Sequence, residues 1–428
     1  MRFAEALREL EARQPESMPE PDLERITRLA ELLDHPELTY PTIQLTGTNG
    51  KTTTARMVTA LACAHGLTTG LFVSPHVVST TERLSVCGES ISEEAFAETW
   101  AYLRPFLQAV DRFGRPVTYF EALTAMAFAW FADVPVALGV FEVGMGGRWD
   151  ATNLVRGDVA VICPIGLDHV GILGNTIEGI AGEKSHLIKP GRPAVIRRQR
   201  PEAMAVLEAR AGEVGADLLV EGAAWDLERR TEALGGQAVT VRGLHATYGD
   251  VVLPLFGEEM ARNAGAAIVA VEALLGRALD ERVLREALGG ITSPGRVEVV
   301  GRRPLVVLDG AHNLDAAASL AEALGAFARE RLHLVAGMFA DKDVEGVAGI
   351  LAPLAARAYA CAPRGPRAAP AERVAAALGA AGVPEVEAFG SVVEAVRAAL
   401  AAAAEDDLIL VTGSFYTVAE ARPAFVAG

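Results

Sequence analysis

Cysteine is scarce in this chain of 428 residues: Cys63, Cys87, Cys163 and Cys361 stand far apart and form no C-x-x-C pair. Their spacing predicts neither a metal site nor a disulfide framework, and suits a reducing cytoplasm. Positive charge is also short. Lys and Arg number 39 against 55 Asp and Glu, a net charge of −16, which argues against nucleic acid or an anionic membrane as the main partner. Wherever an anionic substrate binds, local Lys, Arg and a cation must overturn that field. The N-terminal MRFAEALRELEARQPES lacks the apolar core of a signal peptide. One apolar run, Ala122 to Phe141, has about the length of a membrane helix. Asp133 and Pro135 interrupt it, and Glu121 and Glu142 flank it. A buried helix, a turn and a buried strand are expected there, with no membrane span. No internal repeat is visible.

What the chain does have is length beyond the reach of one core, so two domains are expected. It also has the stretch Leu45 to Thr54, LTGTNGKTTT, after the strand-like Thr42-Ile43-Gln44-Leu45 and before a helical pattern over 55–65. A strand, a glycine-bearing turn and a helix N-terminus surround a phosphate with backbone N–H groups. Gly47 and Gly50 permit close approach and positive φ. Lys51 can neutralise β/γ-phosphate charge, and Thr52 or Thr53 can offer a hydroxyl to Mg²⁺. Only two residues separate the glycines, fewer than in G-x-x-x-x-G-K-[ST]. The order of Gly, Lys and hydroxyls nevertheless points to an ATP site.

Three further apolar strands end at residues fit for chemistry: Leu71–Val73 at Ser74, Val136–Val143 around Glu142, and Val159–Ile165 just before Asp168 and His169. Open α/β sheets bind ligands at the carboxyl ends of their strands, so these tips and the phosphate loop should converge. Helices are expected over Thr176–Lys189 and Glu258–Leu275, the latter carrying Asn263, with short β-like pieces between Ala216 and Phe256. Ser293-Pro294-Gly295-Arg296 breaks the pattern and sets the expected domains at 1–294 and 295–428. Beyond it, Leu305–Leu308, Leu332–Ala336, Ala358–Cys361 and Leu408–Val411 alternate with Ala-rich helices. The fold class is therefore α/β: a P-loop-type, mostly parallel sheet domain with a second, smaller Rossmann-like α/β domain.

Glu142 and His169 suit a cation that takes one or two protein ligands plus waters and phosphate oxygens. Ser74 can add a hydroxyl. Gly144 to Arg148, GMGGR, lacks G-x-G-x-x-G spacing and leads into a polar turn, which removes a nicotinamide oxidoreductase from consideration. Asp309-Gly310-Ala311-His312-Asn313 and Thr412-Gly413-Ser414 follow strands of the second domain, although Asp309 and Asn313 also suit helix caps.

The runs TGTNGKTTTA, SPHVVSTTERLSVCGESIS, FEALTAMAF, EVGMGGRWDATN, GLDHVGILGNTIEGIAGEKSHLIKPG, SPGR, DGAHN and GSFYTVAEAR stand in one order from about residue 40 to 422. The chain in this respect resembles the folylpolyglutamate synthase/dihydrofolate synthases of the Mur-ligase superfamily. It departs from many of them in Lys51-Thr52-Thr53 where they read Lys-Gly-Ser, and in Ser185-His186. The resemblance implies an ATP-dependent ligase that adds L-glutamate to dihydropteroate or a reduced folate through an acyl phosphate. It implies Thr48, Asn49, Gly50, Lys51 and Thr52 at the ATP phosphates, and Mg²⁺ on Thr52, Ser74, Glu142 and His169. A carbamylated Lys184 would assist a second metal. Asn263, Arg296 and Asp309 match nucleotide contacts; Phe120, Glu121, Trp149 and Asp150 lie in the pterin region; His312 and Ser414 match positions that hold glutamate. A monomer in the cytoplasm is expected. The rival reading is a Mur-type ligase acting on a UDP-linked cell-wall precursor. A P-loop switch or motor lacks a matching signal.

Overall fold

Short runs, mostly apolar except at the β4 edge, become the strands of an eight-stranded sheet. They are β1 (Thr42–Thr46), β2 (Thr69–Phe72), β3 (Leu84–Val86), β4 (Glu89–Ser90), β5 (Leu138–Glu142), β6 (Val159–Ile162), β7 (Ala194–Ile196) and β8 (Leu218–Val220). Their order across the sheet is β4-β3-β2-β5-β1-β6-β7-β8. From β2 to β8 every neighbouring pair is parallel, while β3 and β4 form an antiparallel edge. The computed structural model describes residues 1–15, 22–168 and 170–426. It divides into two units: Met1–Thr231 with Ala238–Leu253 and Arg262–Ile291, and Glu232–Gln237 with Pro254–Ala261 and Thr292–Gly428.

Side chains alternate across a strand, so β2 and β5 serve two faces. Phe72 and Phe141 face a core that also takes Phe96, Trp100, Phe128 and Phe131 from helices Glu93–Asp111 and Tyr119–Asp133. Phe128 and Phe131 are fully buried, each contributing about 1.5–3 kcal/mol. The apolar run between Ala122 and Phe141 is thus helix, turn and strand, as its interrupting Asp and Pro imply. Among the described residues no helix is long and apolar enough to cross a membrane. On the opposite face lies the helix Lys51–Ala64, with Glu142 directed toward its first turn. A separate core of Ile162, Ile180, Leu187, Ile196 and Leu207 packs beneath β6 and β7.

The helix expected over 176–189 runs Ile177–Ser185, and Thr176 caps it by accepting the Gly179 N–H at 3.1 Å. Of the β-like pieces expected between Ala216 and Phe256, β8 instead joins the large sheet beside β7, and the others become the three-stranded sheet of β9 (Asp226–Ala233), β10 (Gly236–Arg242) and β11 (Thr247–Leu253). Glu258–Leu275 is helical over its expected length.

The second unit holds β12 (Glu298–Arg302), β13 (Leu305–Leu308), β14 (Leu332–Ala336), β15 (Arg357–Cys361), β16 (Glu385–Phe389) and β17 (Leu408–Thr412), in the order β12-β13-β17-β14-β15-β16. All pairs are parallel except β12 with β13. The sequence does not announce β12 and β16. Both are edge strands with charged, partly exposed residues, so neither carries the continuous apolar run of a strand covered on both faces.

One expectation fails. Cys63 and Cys87 form a disulfide, with Cα atoms 5.7 Å apart. Cys63 lies near the end of the helix Lys51–Ala64, and Cys87 turns between β3 and β4 at φ +47°. The β2–β3 pairing folds a chain separation of 24 residues back on itself, which cysteine spacing cannot show. The spacing argument for a reducing compartment loses its basis. Closing a loop of this size stabilises by roughly 3 kcal/mol in the chain-entropy account. Unfolded, unreduced protein is expected to present two reactive thiols, Cys163 and Cys361, rising to four after reduction. Cys87→Ser is expected to lower the unfolding midpoint in oxidising buffer and leave it unchanged, relative to the parent, in reductant.

Candidate active site

The phosphate loop is shaped by contacts that only glycine tolerates. Gly47 sits at φ +147°, where a Cβ would come 2.5 Å from the Cys163 Cβ just past β6. Gly50, at φ +88°, opens the helix Lys51–Ala64, and its Cβ would meet the Asn263 amide oxygen at 2.8 Å. Between them, Thr48 donates its N–H to the Pro164 carbonyl at 2.8 Å and accepts the Gly166 N–H at 2.9 Å. Asn49 forms the half-buried crest. The loop is thereby tied to the exit of β6, with the N–H groups of a helix start at its centre.

Two ammonium groups meet on this loop. Lys51 Nζ donates to the carbonyls of Gly47 at 3.0 Å and Thr48 at 3.3 Å, and Lys184 Nζ donates to the same Gly47 carbonyl at 3.0 Å. Burial, then the charge of Lys51, lowers the Lys184 pKa to about 7. Glu142 is 1% exposed. Its carboxylate accepts the Thr52 hydroxyl at 2.9 Å and the Ser74 N–H at 3.4 Å. Thr53 is fully buried, so Thr52 is the hydroxyl that stands beside the carboxylate. His169 lies outside the described residues, and Asp168 is half-buried.

Among the described residues no group of three or more His, Cys, Asp or Glu can hold a metal. The hard oxygens of Thr52, Ser74 and Glu142 fit Mg²⁺, which takes few protein ligands and fills its octahedron with waters and phosphate oxygens.

Two residues expected at the substrate have carboxylates that are bonded within the protein. The Glu121 carboxylate closes the capping box of Tyr119–Asp133, accepting the Thr118 N–H at 2.8 Å, and accepts Arg25 Nε at 3.0 and 3.1 Å. The Asp150 carboxylate takes the Met145 N–H, the Thr152 N–H and the Thr152 hydroxyl at 3.0, 3.0 and 2.6 Å. Gln44 Nε2 reaches that same hydroxyl at 3.0 Å, and burial raises the Asp150 pKa. Their chain neighbours Phe120 and Trp149 are aromatic. The Phe120 ring lies 5.7 Å from Phe72, and Trp149 is 43% exposed with the Arg148 guanidinium 4.7 Å from its ring centroid.

In the second unit the tips of β13, β17 and β14 are neighbours. Asp309 accepts the Val297 and Ala311 N–H groups at 2.9 and 2.8 Å; burial raises its pKa against the pull of Arg296. The Arg296 guanidinium stacks 3.9 Å from the Phe415 ring centroid. His312 Nδ1 donates to the Gly310 carbonyl at 2.8 Å, so a neutral ring presents Nε2 as an acceptor. Ser414 accepts the Thr417 N–H at 3.0 Å and caps Phe415–Ala421. Asn313 is the helix cap its sequence position suggests, accepting the Ala316 N–H at 2.9 Å.

Sequence reasoning overlooked Arg197, Glu221 and Arg25. Arg197 opens the run RRQR, which reads as a solvated basic stretch, yet it is 1% exposed. Its place directly after β7 was the available signal, since strand tips line ligand sites.

A phosphate loop set among parallel strand tips, in a chain with a second parallel α/β unit, defines an ATP-dependent ligase of the Mur type. The Mur ligase middle domain matches residues 45–271 and the Mur ligase glutamate ligase domain residues 295–415. A dihydrofolate synthase/folylpolyglutamate synthase of Mycobacterium tuberculosis is 40% identical, over 97% of this chain and 92% of its own. The structure of Mycobacterium tuberculosis folylpolyglutamate synthase complexed with ADP superposes with a TM-score of 0.95 at 38% identity, covering 100% of this chain and 98% of that one. That of Escherichia coli FolC in complex with DHPP and ADP gives 0.88 at 33%, covering 99% and 97%. The chain belongs to the Mur ligase family, among its dihydrofolate synthase/folylpolyglutamate synthases. The cell-wall alternative is not favoured by these relatives.

Gly47→Ala drives a methyl group into the exit of β6 and is expected to destabilise the protein by about 1–3 kcal/mol. A denaturant midpoint equal to the parent's would show that the loop yields where it is described as tight.

Proposed function

We propose that the chain joins L-glutamate to dihydropteroate, to a reduced folate, or to both, with cleavage of ATP to ADP and phosphate. The observation that carries this reading is the adjacency of β2, β5, β1 and β6, which brings Ser74, Glu142 and the phosphate loop to one sheet edge, with the Lys184 ammonium bonded to the Gly47 carbonyl of that loop. The substrate carboxylate attacks the γ-phosphorus, the bond to ADP breaks, and an acyl phosphate results. The glutamate amine then attacks the acyl carbon; phosphate leaves, a proton is lost from nitrogen, and an amide remains.

Thr48, Asn49, Gly50, Lys51 and Thr52 form the loop that holds the phosphates, and Asn263, Arg296 and Asp309 serve the nucleotide. Phe120 and Trp149 supply apolar surface for a pterin, with Glu121 and Asp150 as their supports. His312 and Ser414 serve the incoming glutamate. Thr52, Ser74, Glu142 and His169 would hold Mg²⁺, which withdraws charge from the phosphate oxygens when bound. The chain's own donors act by positioning and by stabilising charge that builds on the reacting oxygens.

Lys184 enters this scheme as a carbamate. Its nitrogen, near pKa 7, is substantially neutral at physiological pH; it adds to the carbon of CO₂ and loses a proton to water. The product replaces a second cation beside Lys51 with an anion.

Phosphate release is expected with dihydropteroate, ATP and L-glutamate together, and not when any one is omitted. Product from tetrahydrofolates but never from dihydropteroate would narrow the function to polyglutamate synthesis.

Lys184→Gln is expected to cut turnover on the order of 10²-fold, and a small carboxylic acid should partly restore Lys184→Ala. Because the neutral amine is lost as pH falls below about 7, CO₂-dependent activation should weaken on the acid side. Full activity of Lys184→Gln, or an intact-protein mass without the CO₂ adduct in active enzyme, would refute the carbamate.

A further inference from the structure

Asn263 is 1% exposed on the helix Glu258–Leu275, with its amide against Gly50 of the phosphate loop. The amide oxygen accepts Arg197 Nη1. The amide nitrogen is buried and has no partner among the described residues. Arginine only donates, so the end of the amide facing Arg197 must be the oxygen. A flip would set two donors against each other. The NH₂ group is therefore held away from Arg197 as a fixed donor. A buried donor left without an acceptor is costly, and in a folded protein it calls for a ligand or water. This one lies against Gly50, where the helix Lys51–Ala64 begins and where an anion is favoured.

Arg197 is itself held at several points. Its N–H donates to the Ile162 carbonyl at the end of β6 at 3.0 Å. Its Nε donates to Glu221 Oε2 at 3.0 Å. That oxygen also accepts the Arg198 N–H at 2.8 Å, and Oε1 accepts Arg262 Nη1, one residue before Asn263. Burial works to raise the Glu221 pKa, but Arg197 and Arg262 outweigh it and keep the carboxylate ionised. One carboxylate past β8 thus braces the guanidinium and the turn of helix that carries the amide.

We infer that Arg197 is a positioning residue for nucleotide recognition, fixing the Asn263 amide so that its NH₂ donates to an oxygen of the nucleotide bound at the phosphate loop. The inference rests on the reading of that loop as the ATP site. Asn263 as a nucleotide contact belongs to that reading; the control of its orientation by Arg197, anchored through Glu221, does not.

The test measures ADP affinity by calorimetry together with steady-state KM values for ATP, L-glutamate and the pterin acceptor. Arg197→Met keeps length without donors and leaves Glu221 its bonds to Arg262 and the Arg198 N–H. It is expected to weaken ADP binding and raise KM for ATP roughly 10- to 100-fold, as for the loss of a hydrogen bond to a charged group, with the other two KM values within about twofold. Asn263→Ala should do the same. Placed in the Asn263→Ala background, Arg197→Met should add less than about twofold, because a residue acting through the amide has nothing left to act on. Should Arg197→Met fail to fold, Arg197→Lys, which keeps a charge for Glu221, is read in the same cycle. Multiplicative effects in the cycle, an equal loss of all three substrates, or unchanged ADP affinity in folded Arg197→Met would overturn the inference. Lys51→Ala separates the two levels. Affinity lost there but kept in the Arg197 and Asn263 variants refutes this inference alone, whereas affinity kept in Lys51→Ala refutes the loop reading and the inference with it.

Discussion

Two ammonium groups share one carbonyl oxygen, that of Gly47, and much of the first unit follows from the need to make this tolerable. Lys51 and Lys184 arrive from different elements, one from the loop's own helix and the other from a helix more than a hundred residues later. With one of the pair buried, their repulsion is poorly screened, and a site of this kind favours whatever anion reaches it. Phosphate oxygens answer one cation and a carbamate on Lys184 would abolish the other. This is how a chain of net charge −16 presents a locally positive loop without a basic surface.

The remainder of the site is a matter of bracing. Glu142, Thr52 and the Ser74 backbone link the ends of β5 and β2 to the first turn of the helix Lys51–Ala64 by hydrogen bonds. Asp150 and Glu121 show the same economy one layer out: each carboxylate gathers backbone donors beside an aromatic chain neighbour.

Strands β1, β2, β5 and β6 and the inner strands of the second unit were legible because sheets covered on both faces demand uninterrupted apolar runs, and the tips because each run stops at a residue with chemistry; the short strands β3, β4 and β7 of the large sheet were not, nor was the place of β8 in it. Glu258–Leu275 was legible from its periodicity. Three further things were not. Cys63 and Cys87 meet through a hairpin that spacing alone does not encode. Edge strands β12 and β16 carry the charges that protect an open edge, which erases their signature. Arg197 sits in a basic run typical of surfaces, and only the tertiary arrangement of β6, β8 and the helix Glu258–Leu275 removes it from water.

The strand order has a consequence in time. β1 lies between β5 and β6, and neither precedes it in the chain. A growing polypeptide that has released β1 and the phosphate loop holds a central strand with no sheet neighbour until β5 emerges, nearly a hundred residues later. β2 cannot serve in the interval, because it too pairs in parallel only with β5. Apart from the antiparallel edge of β2, β3 and β4, sheet formation must therefore close long loops before it gains contacts, the condition that slows folding most. The helix Tyr119–Asp133, apolar on nearly every side, is made just before β5 and has to wait for that strand to be covered. Residues 138–142 set the moment at which this half of the molecule can condense.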